Sequence, residues 1–362
     1  MNKELRLLYV EDDKENRESL VNLLSDDTIG DYTIKIDGFD SFDGAFEEIT
    51  AHKYHIIILD LFLGNPRDQG KEIGIDILQA IQEKYFVPVI FFSGNTKNVE
   101  DLKSQIVGVV TKGDDGFDGL RSEIERLIKF NLPFIKENLH NHIETELKTY
   151  FWDIIHSQRA KFRAEDNDFS LGYLMLRKFG QSLTKNKISE ILGDGTLNVD
   201  KAHPMQFYIY PTDLKNEFDS GEILEKDGEV YVVLTPSCDF ISSGDRIRKV
   251  GKVLLVKTVL LTQMPEYKKY EGNKKKFKQS LSSLIESRKG DRYFFLPKTP
   301  FIENRVLDFQ IKEMYDYEKL KDFSRITKLD SPFSEAAVSS FIRYYNRIGY
   351  PDIDSEHIIG NL

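Results

Sequence analysis

Residues 56–60 read Ile56-Ile57-Ile58-Leu59-Asp60, four consecutive apolar residues closed by an acid. Residues 89–93 repeat the pattern as Val89-Ile90-Phe91-Phe92-Ser93. Uninterrupted apolarity over so short a run suits a strand covered on both faces, as in a parallel sheet. Working outward, residues 5–10, 32–36, 55–60, 87–93 and 106–111 are the candidate strands of the first 130 residues. Between them, Leu20, Val21, Leu23 and Leu24 mark one amphipathic helix. Phe42, Ala45, Phe46 and Ile49 mark a second, and Ile73, Ile77, Leu78 and Ile81 a third. Leu120, Ile124, Leu127 and Ile128 mark a fifth, over 120–129. Strands alternating with helices in this way predict βαβ units wound into a parallel sheet.

Ligands of an open α/β sheet sit beyond the carboxyl ends of its strands. Here those ends carry Glu11-Asp12-Asp13, Asp60, Ser93 and Thr111-Lys112. Clustered carboxylates repel unless a cation shares them, and Mg²⁺ suits one or two carboxylates plus phosphoryl oxygens and water. An aspartate beside such an ion can act as a nucleophile toward phosphorus. A hydroxyl and an ammonium would then meet the charge of the phosphoryl oxygens. Asp13 reads as the N-cap of the first helix.

Four strings in order, Leu7-Leu8-Tyr9-Val10-Glu11-Asp12-Asp13, Ile57-Ile58-Leu59-Asp60-Leu61, Phe92-Ser93-Gly94 and Thr111-Lys112, resemble the receiver domain of two-component response regulators. The resemblance covers residues 1–130. It implies a flavodoxin-like (βα)5 doubly wound fold and a phosphoryl group accepted on Asp60 from a histidine kinase or phosphotransfer protein. It implies Mg²⁺ held directly by Asp12, Asp60 and the backbone carbonyl of Phe62, with Glu11 as the acidic partner acting through water, and Ser93 and Lys112 in the switch and charge-pairing roles. The chain departs from the family pattern at several points. Gly113 follows Lys112 where the family has proline, and Val109 stands at the family's switch aromatic. Lys112 comes only 19 positions after Ser93, so the fourth helix, near 97–104, must be short. The loop Gly64-Asn65-Pro66-Arg67-Asp68-Gln69-Gly70 looks extended.

Pro133 marks a boundary, and residues 131–195 read as a helical connector. Ile143, Leu147, Tyr150, Phe151 and Ile154 recur at three- and four-residue steps, which predicts an amphipathic, pairing-type helix and admits a homodimer. His140, His142 and His156 read as surface or packing residues. Helices are expected to resume over 171–179 and 187–192. Residues 196–362 read as an α+β output or interaction domain. Residues 205–210 and 230–235 are strand-like, Lys226-Asp227-Gly228-Glu229 is a hairpin turn, and 253–261 and 293–296 are further strands. Residues 220–236 resemble the opening of SH3-like barrels, and 334–347 form a last helix closed by Gly349 and Pro351. Cys238 is expected to be buried and structural. The basic run Lys268, Lys269, Lys274, Lys275, Lys276 and Lys278 is expected to be a solvated loop.

Composition bounds the remaining possibilities. The chain has 362 residues, enough for two or three domains, with 40% hydrophobic and 30% charged residues. No apolar run reaches the roughly 18–20 residues of a membrane span, and no secretory signal is expected. One cysteine excludes an internal disulfide and suits a cytoplasmic location. Residues 1–130 hold 26 Asp and Glu against 15 Lys and Arg, while residues 131–362 hold 34 against 35. The second part therefore lacks the basic footprint of a dedicated nucleic-acid module, which makes nucleic acid a disfavoured partner. The primary reading is a response regulator with an atypical C-terminal domain. Its rivals are a phosphate sink or adaptor that binds a partner protein through that domain, and a phosphorylation-gated nuclease or hydrolase.

Overall fold

Along β1 (Lys3–Val10) side chains alternate between two apolar layers: Leu5, Leu7 and Tyr9 enter one, and Leu8 and Val10 the other. That alternation is what a strand buried on both faces requires. The computed structural model describes residues 3–51, 54–61, 73–97, 99–113, 116–129, 131–162, 171–193, 200–212, 217–242, 248–287, 291–346 and 354–360. The chain divides into two compact units, Met1–Val199 and Asp200–Leu362.

In the first unit β1 is followed by α1 (Lys14–Leu24), β2 (Thr28–Ile29), β3 (Tyr32–Phe39), α2 (Phe42–Ala51), β4 (Ile56–Leu59), α3 (Ile73–Lys84), β5 (Val89–Ser93), β6 (Val107–Thr111) and α4 (Gly116–Lys129). The strand order is β2-β3-β1-β4-β5-β6, parallel throughout except for the antiparallel edge strand β2. This is the flavodoxin-like order, with β2 added as an edge. At two residues, β2 is too short to show a sequence period. Leu20, Leu24, Leu120, Ile124 and Leu127 from α1 and α4 cover one face. Ala45, Leu78 and Ile81 from α2 and α3 cover the other. Gly108 on β6 lies against Glu123 of α4, where a Cβ would sit 2.6 Å from the glutamate Cγ. Only glycine admits that close approach. The short fourth helix expected near 97–104 is a single 3-10 turn, Glu100–Leu102, with Val99 buried beside it. The loop 64–70 lies outside the described residues.

The connector belongs to the first unit. Phe134 is buried, stacked on Tyr32 with centroids 4.7 Å apart and tilted against His55 at 4.6 Å. Helix α5 (Ile135–Thr149) starts there and continues as a π-helical segment, Tyr150–His156. The stripe expected from Ile143 to Ile154 is therefore broken. A π turn carries an extra residue and rotates the following side chains. Ile155 is buried instead, while Phe151 and Ile154 are exposed. Helices α6 (Leu171–Ser182) and α7 (Lys185–Leu192) pack on α5. Asn131 and Asn138 both donate to the Ile191 carbonyl at the end of α7, at 3.0 and 2.9 Å. The buried His142 contacts Ser182 Oγ at 2.8 Å. That hydroxyl donates to the Phe179 carbonyl, so His142 Nε2 must be the donor to Ser182. His140 and His156 are exposed.

In the second unit a 3-10 turn, Pro204–Phe207, occupies the first half of the expected 205–210 strand, leaving only β7 (Tyr208–Ile209). Then come β8 (Glu222–Lys226), β9 (Glu229–Val233), α8 (Ser237–Phe240), β10 (Lys252–Leu260), α9 (Pro265–Gly272), α10 (Lys274–Ile285), β11 (Tyr293–Leu296), β12 (Arg305–Asp316), β13 (Ser324–Leu329), α11 (Phe333–Tyr345) and α12 (Ser355–Ile359). Seven antiparallel strands, β11-β12-β10-β9-β8-β13-β7, form a half-barrel. Asp227 and Gly228 both have positive φ (52° and 77°), as the predicted β8–β9 hairpin turn needs. The basic run is a pair of helices rather than a loop. Met264, Leu281 and Leu284 anchor the pair in the core, and lysine is a good helix former on the exposed side. Cys238 is exposed, contrary to expectation, because α8 buries Phe240 instead. Gly349 and Pro351 lie outside the described residues. No helix among the described residues is long and apolar enough to cross a membrane.

Two tests follow from this packing. Burial pushes the His55 pKa down, against a smaller opposing pull from Glu137, 3.7 Å away. His55 Nδ1 accepts from the Arg6 amide at 2.9 Å. A histidine held neutral when folded takes up a proton more readily when unfolded. Stability of the first unit therefore falls as pH drops below about 6.5 and is regained above it. His55→Asn keeps an acceptor for Arg6 and should flatten that part of the pH–stability curve in urea titrations. In the second unit Arg325 pairs through two nitrogens with Glu222, whose side chain is 1% exposed. Arg325→Met strands that buried carboxylate and should cost about 3–5 kcal/mol. Adding Glu222→Gln should recover most of the loss in chemical denaturation.

Candidate functional site

The β1/β4 boundary is where the chain changes direction across the sheet: β3 lies on one side of β1 and β4 on the other. At such a switch point the connections from neighbouring strands leave toward opposite faces of the sheet, which opens a crevice at the strand ends. Backbone pairing carries the ladder one residue past each strand. Glu11 N–H donates to Phe39 O at 2.9 Å, Asp60 N–H to Val10 O at 3.0 Å, and Lys112 N–H to Ser93 O at 2.8 Å. These bonds aim Glu11, Asp60 and Lys112 into one place. Asp13 caps α1 by accepting from the Asn16 amide at 2.8 Å. The cap starts the helix directly behind the Glu11-Asp12 pair.

Glu11, Asp12 and Asp60 each offer a carboxylate oxygen within 4.8 Å of the others. Glu11 and Asp60 are buried, while Asp12 is exposed. Lys112 Nζ lies between the two buried acids, bonded to Glu11 Oε2 and 2.9 Å from Asp60 Oδ2. It also stands 5.6 Å from the centre of the Phe92 ring. Burial opposes the charge on Lys112, but its bonds to Glu11 and Asp60 outweigh this and raise its pKa. Lys112 reaches both acids although glycine follows it, because β5–β6 pairing runs through Ser93 and Thr111. Ser93 ends β5 and is buried at the same crevice. The structure thus brings together Glu11, Asp12, Asp60, Ser93 and Lys112. Phe62 lies outside the described residues.

Three contributors escape a reading of strand ends. Tyr9 O–H donates to Glu11 Oε2 at 2.6 Å from inside the core. Strand alternation, which sets residues i and i+2 on one face, carries that signal. Arg17 Nη1 donates to the Glu11 and Asp12 carbonyls at 2.5 and 3.2 Å, pinning the acidic pair to α1. Thr96 is buried with its hydroxyl 2.8 Å from that of Thr111, tying the β5 loop to the end of β6. The Thr96–Thr111 contact joins two separate elements, which no local pattern announces.

The family model described as "Response regulator receiver domain" matches residues 7–117. Among solved structures, the chain is similar to the response regulator protein TrrA from Thermotoga maritima, solved in complex with Mg²⁺-BeF. Identity is 21%, covering 34% of this chain and 98% of that one, with a TM-score of 0.28. It is also similar to the receiver domain of the Francisella response regulator 1452, at 23% identity over 34% and 97% of the two chains, TM-score 0.28. A two-component transcriptional regulator AraC from Clostridium phytofermentans ISDg matches at 25% identity over 35% and 97%, TM-score 0.26. No curated protein matches the chain in sequence. The family match stops at residue 117, within α4, and leaves the connector and the second unit outside it. The protein carries a response regulator receiver domain over residues 7–117.

Proposed function

We propose that this protein is a two-component response regulator that accepts a phosphoryl group on Asp60 and signals through its C-terminal unit. The observation that carries the reading is the convergence of Glu11, Asp12, Asp60 and Lys112 at the β1/β4 crevice. The donor is a phosphohistidine of a kinase or phosphotransfer protein. The Asp60 carboxylate attacks phosphorus, the donor N–P bond breaks, and an acyl phosphate forms while the leaving imidazole takes up a proton. Glu11, Asp12 and Asp60 are an all-oxygen donor set that fits Mg²⁺, with the Phe62 carbonyl as a further ligand. When bound, Mg²⁺ neutralises charge on the transferring group. Ser93 donates a hydroxyl hydrogen bond to a phosphoryl oxygen. Lys112 supplies a positive charge to the phosphoryl oxygens.

Residues 131–195 are the connector and 196–362 the output or interaction domain in this reading. The first long helix of the connector is capped by Phe134, against Tyr32 and His55 at the amino ends of β3 and β4. The acids occupy the carboxyl ends. A signal from Asp60 must therefore cross the sheet along the strands, about 3.3 Å per residue. With Val109 in place of an aromatic and a single 3-10 turn at 100–102, the Thr96–Thr111 contact is the link from pocket to sheet edge.

Acetyl phosphate plus Mg²⁺ should label the protein to near stoichiometry. Asp60→Asn should abolish labelling and Asp12→Asn should reduce it at least tenfold. Labelling of the Asp60→Asn protein would overturn the assignment. The role of Lys112 as resident counter-ion is tested separately. Lys112→Met leaves Glu11 and Asp60 facing each other and should lower stability without metal by about 2–4 kcal/mol. That is less than for a fully buried pair, because solvent reaches the lysine. Glu11→Gln in the same chain should restore part of the loss in urea titrations, and unchanged stability of the single variant would refute the role.

A further inference from the structure

We infer that Tyr9 is a positioning residue of the acidic pocket, its hydroxyl holding the Glu11 carboxylate in the orientation that lets it share a divalent cation with Asp12 and Asp60. The inference rests on the reading of that pocket given above and extends it into the core beneath.

Tyr9 lies on β1 two residues before Glu11, so both side chains leave the same face of the strand. Its ring belongs to the layer built by Leu5, Leu7, Leu20, Phe92 and Leu120. It is fully buried, among the largest side chains so placed. An aliphatic or phenylalanine side chain could fill that volume without bringing a polar atom along. A phenol there must place its hydroxyl on a partner. The partner is Glu11 Oε2, at 2.6 Å, the length of a charge-assisted O–H···O⁻ bond.

Oε2 of Glu11 also takes Lys112 Nζ, while Oε1 lies 3.3 Å from the Asp13 amide. The two partners of Oε2 differ in kind. Lys112 is a cation on a flexible stem, shared with Asp60, and it competes with any metal for the same carboxylates. The Tyr9 hydroxyl is neutral and its ring is packed on all sides, so it adds no competing charge and cannot swing away. Glu11 therefore keeps one fixed bond from below whether or not Lys112 turns toward another group. A donor bonded to a ligating carboxylate orients it for the metal, and losing such a partner typically weakens metal binding about 10–100-fold.

The test uses the full-length chain and Mg²⁺ alone, followed by metal-induced change in tyrosine near-ultraviolet absorbance and by the shift in thermal midpoint. Tyr9→Phe removes one oxygen and keeps the ring. It should bind Mg²⁺ at least tenfold more weakly than the parent and lose most of the tyrosine difference signal, with unchanged far-ultraviolet circular dichroism. Equal affinity, or a retained difference signal, overturns the positioning role. Glu11→Gln guards against a folding defect. It leaves Tyr9 in place but removes the carboxylate charge, so Mg²⁺ should no longer perturb the tyrosine spectrum, and a persisting perturbation also overturns the inference. Asp12→Asn separates the two readings. If the parent shows no saturable binding, or Asp12→Asn binds as the parent does, the pocket reading itself fails and the inference falls with it. If Asp12→Asn loses binding and Tyr9→Phe does not, only the role of Tyr9 fails.

Discussion

Three carboxylates held within 4.8 Å of one another, with one ammonium between two of them, are the constraint on which the first unit turns. A parallel sheet with a switch point delivers β1 and β4 side by side, and so places Glu11 and Asp60 together whatever their charges. Left alone, two buried carboxylates at that distance would repel through a poorly screened medium. Lys112, delivered by β6 over the same crevice, relieves the repulsion. The arrangement is stable and also poised, since any cation or phosphoryl group that enters must redistribute the contacts of one lysine.

The scaffold around the crevice resists that redistribution on the core side and yields on the solvent side. Tyr9 and Arg17 grip Glu11 from the aliphatic layer and from the first turns of α1. Asp12 is exposed, and Lys112 stands on the rim. At the other end of the strands, Phe134 ties the connector to Tyr32 and His55. The connector then loses its regular period at Tyr150–His156, leaving Phe151, Trp152 and Ile154 on the surface. The π segment therefore redirects the apolar side chains that a regular helix would have aligned.

The second unit obeys a different logic. Its half-barrel has its own apolar layers, one around Ile223, Val232, Phe309 and Leu329 and another around Leu224, Val233, Leu255 and Phe323. Its Glu222–Arg325 pair is buried and joins strands distant in sequence, while Asp308 is buried against the more exposed Arg292. Burial pushes the Glu222 pKa up and the Arg325 contact only partly offsets this, so the pair is costly to break. Such pairs favour one strand register over others.

The apolar quartet 56–59, the chain of acids at strand ends and the Asp13 cap were legible because each is a local pattern with a local cause. Strand burial on both faces demands continuous apolarity, and a cap demands a short acceptor just before a helix. From these alone the parallel sheet, its five main strands and the group Glu11, Asp12, Asp60, Ser93 and Lys112 follow. The β8–β9 hairpin was legible for the same reason, since Asp-Gly supplies the positive φ its turn requires. Other features were decided only in three dimensions. The π register of the connector depends on which of Ile154 and Ile155 finds a partner. The helical state of the 265–285 segment depends on Leu281 and Leu284 finding the sheet. The exposure of Cys238 depends on Phe240 taking the buried side. Each is a competition between neighbouring residues for one site in a core, and such a competition is settled by contacts between segments far apart in the chain.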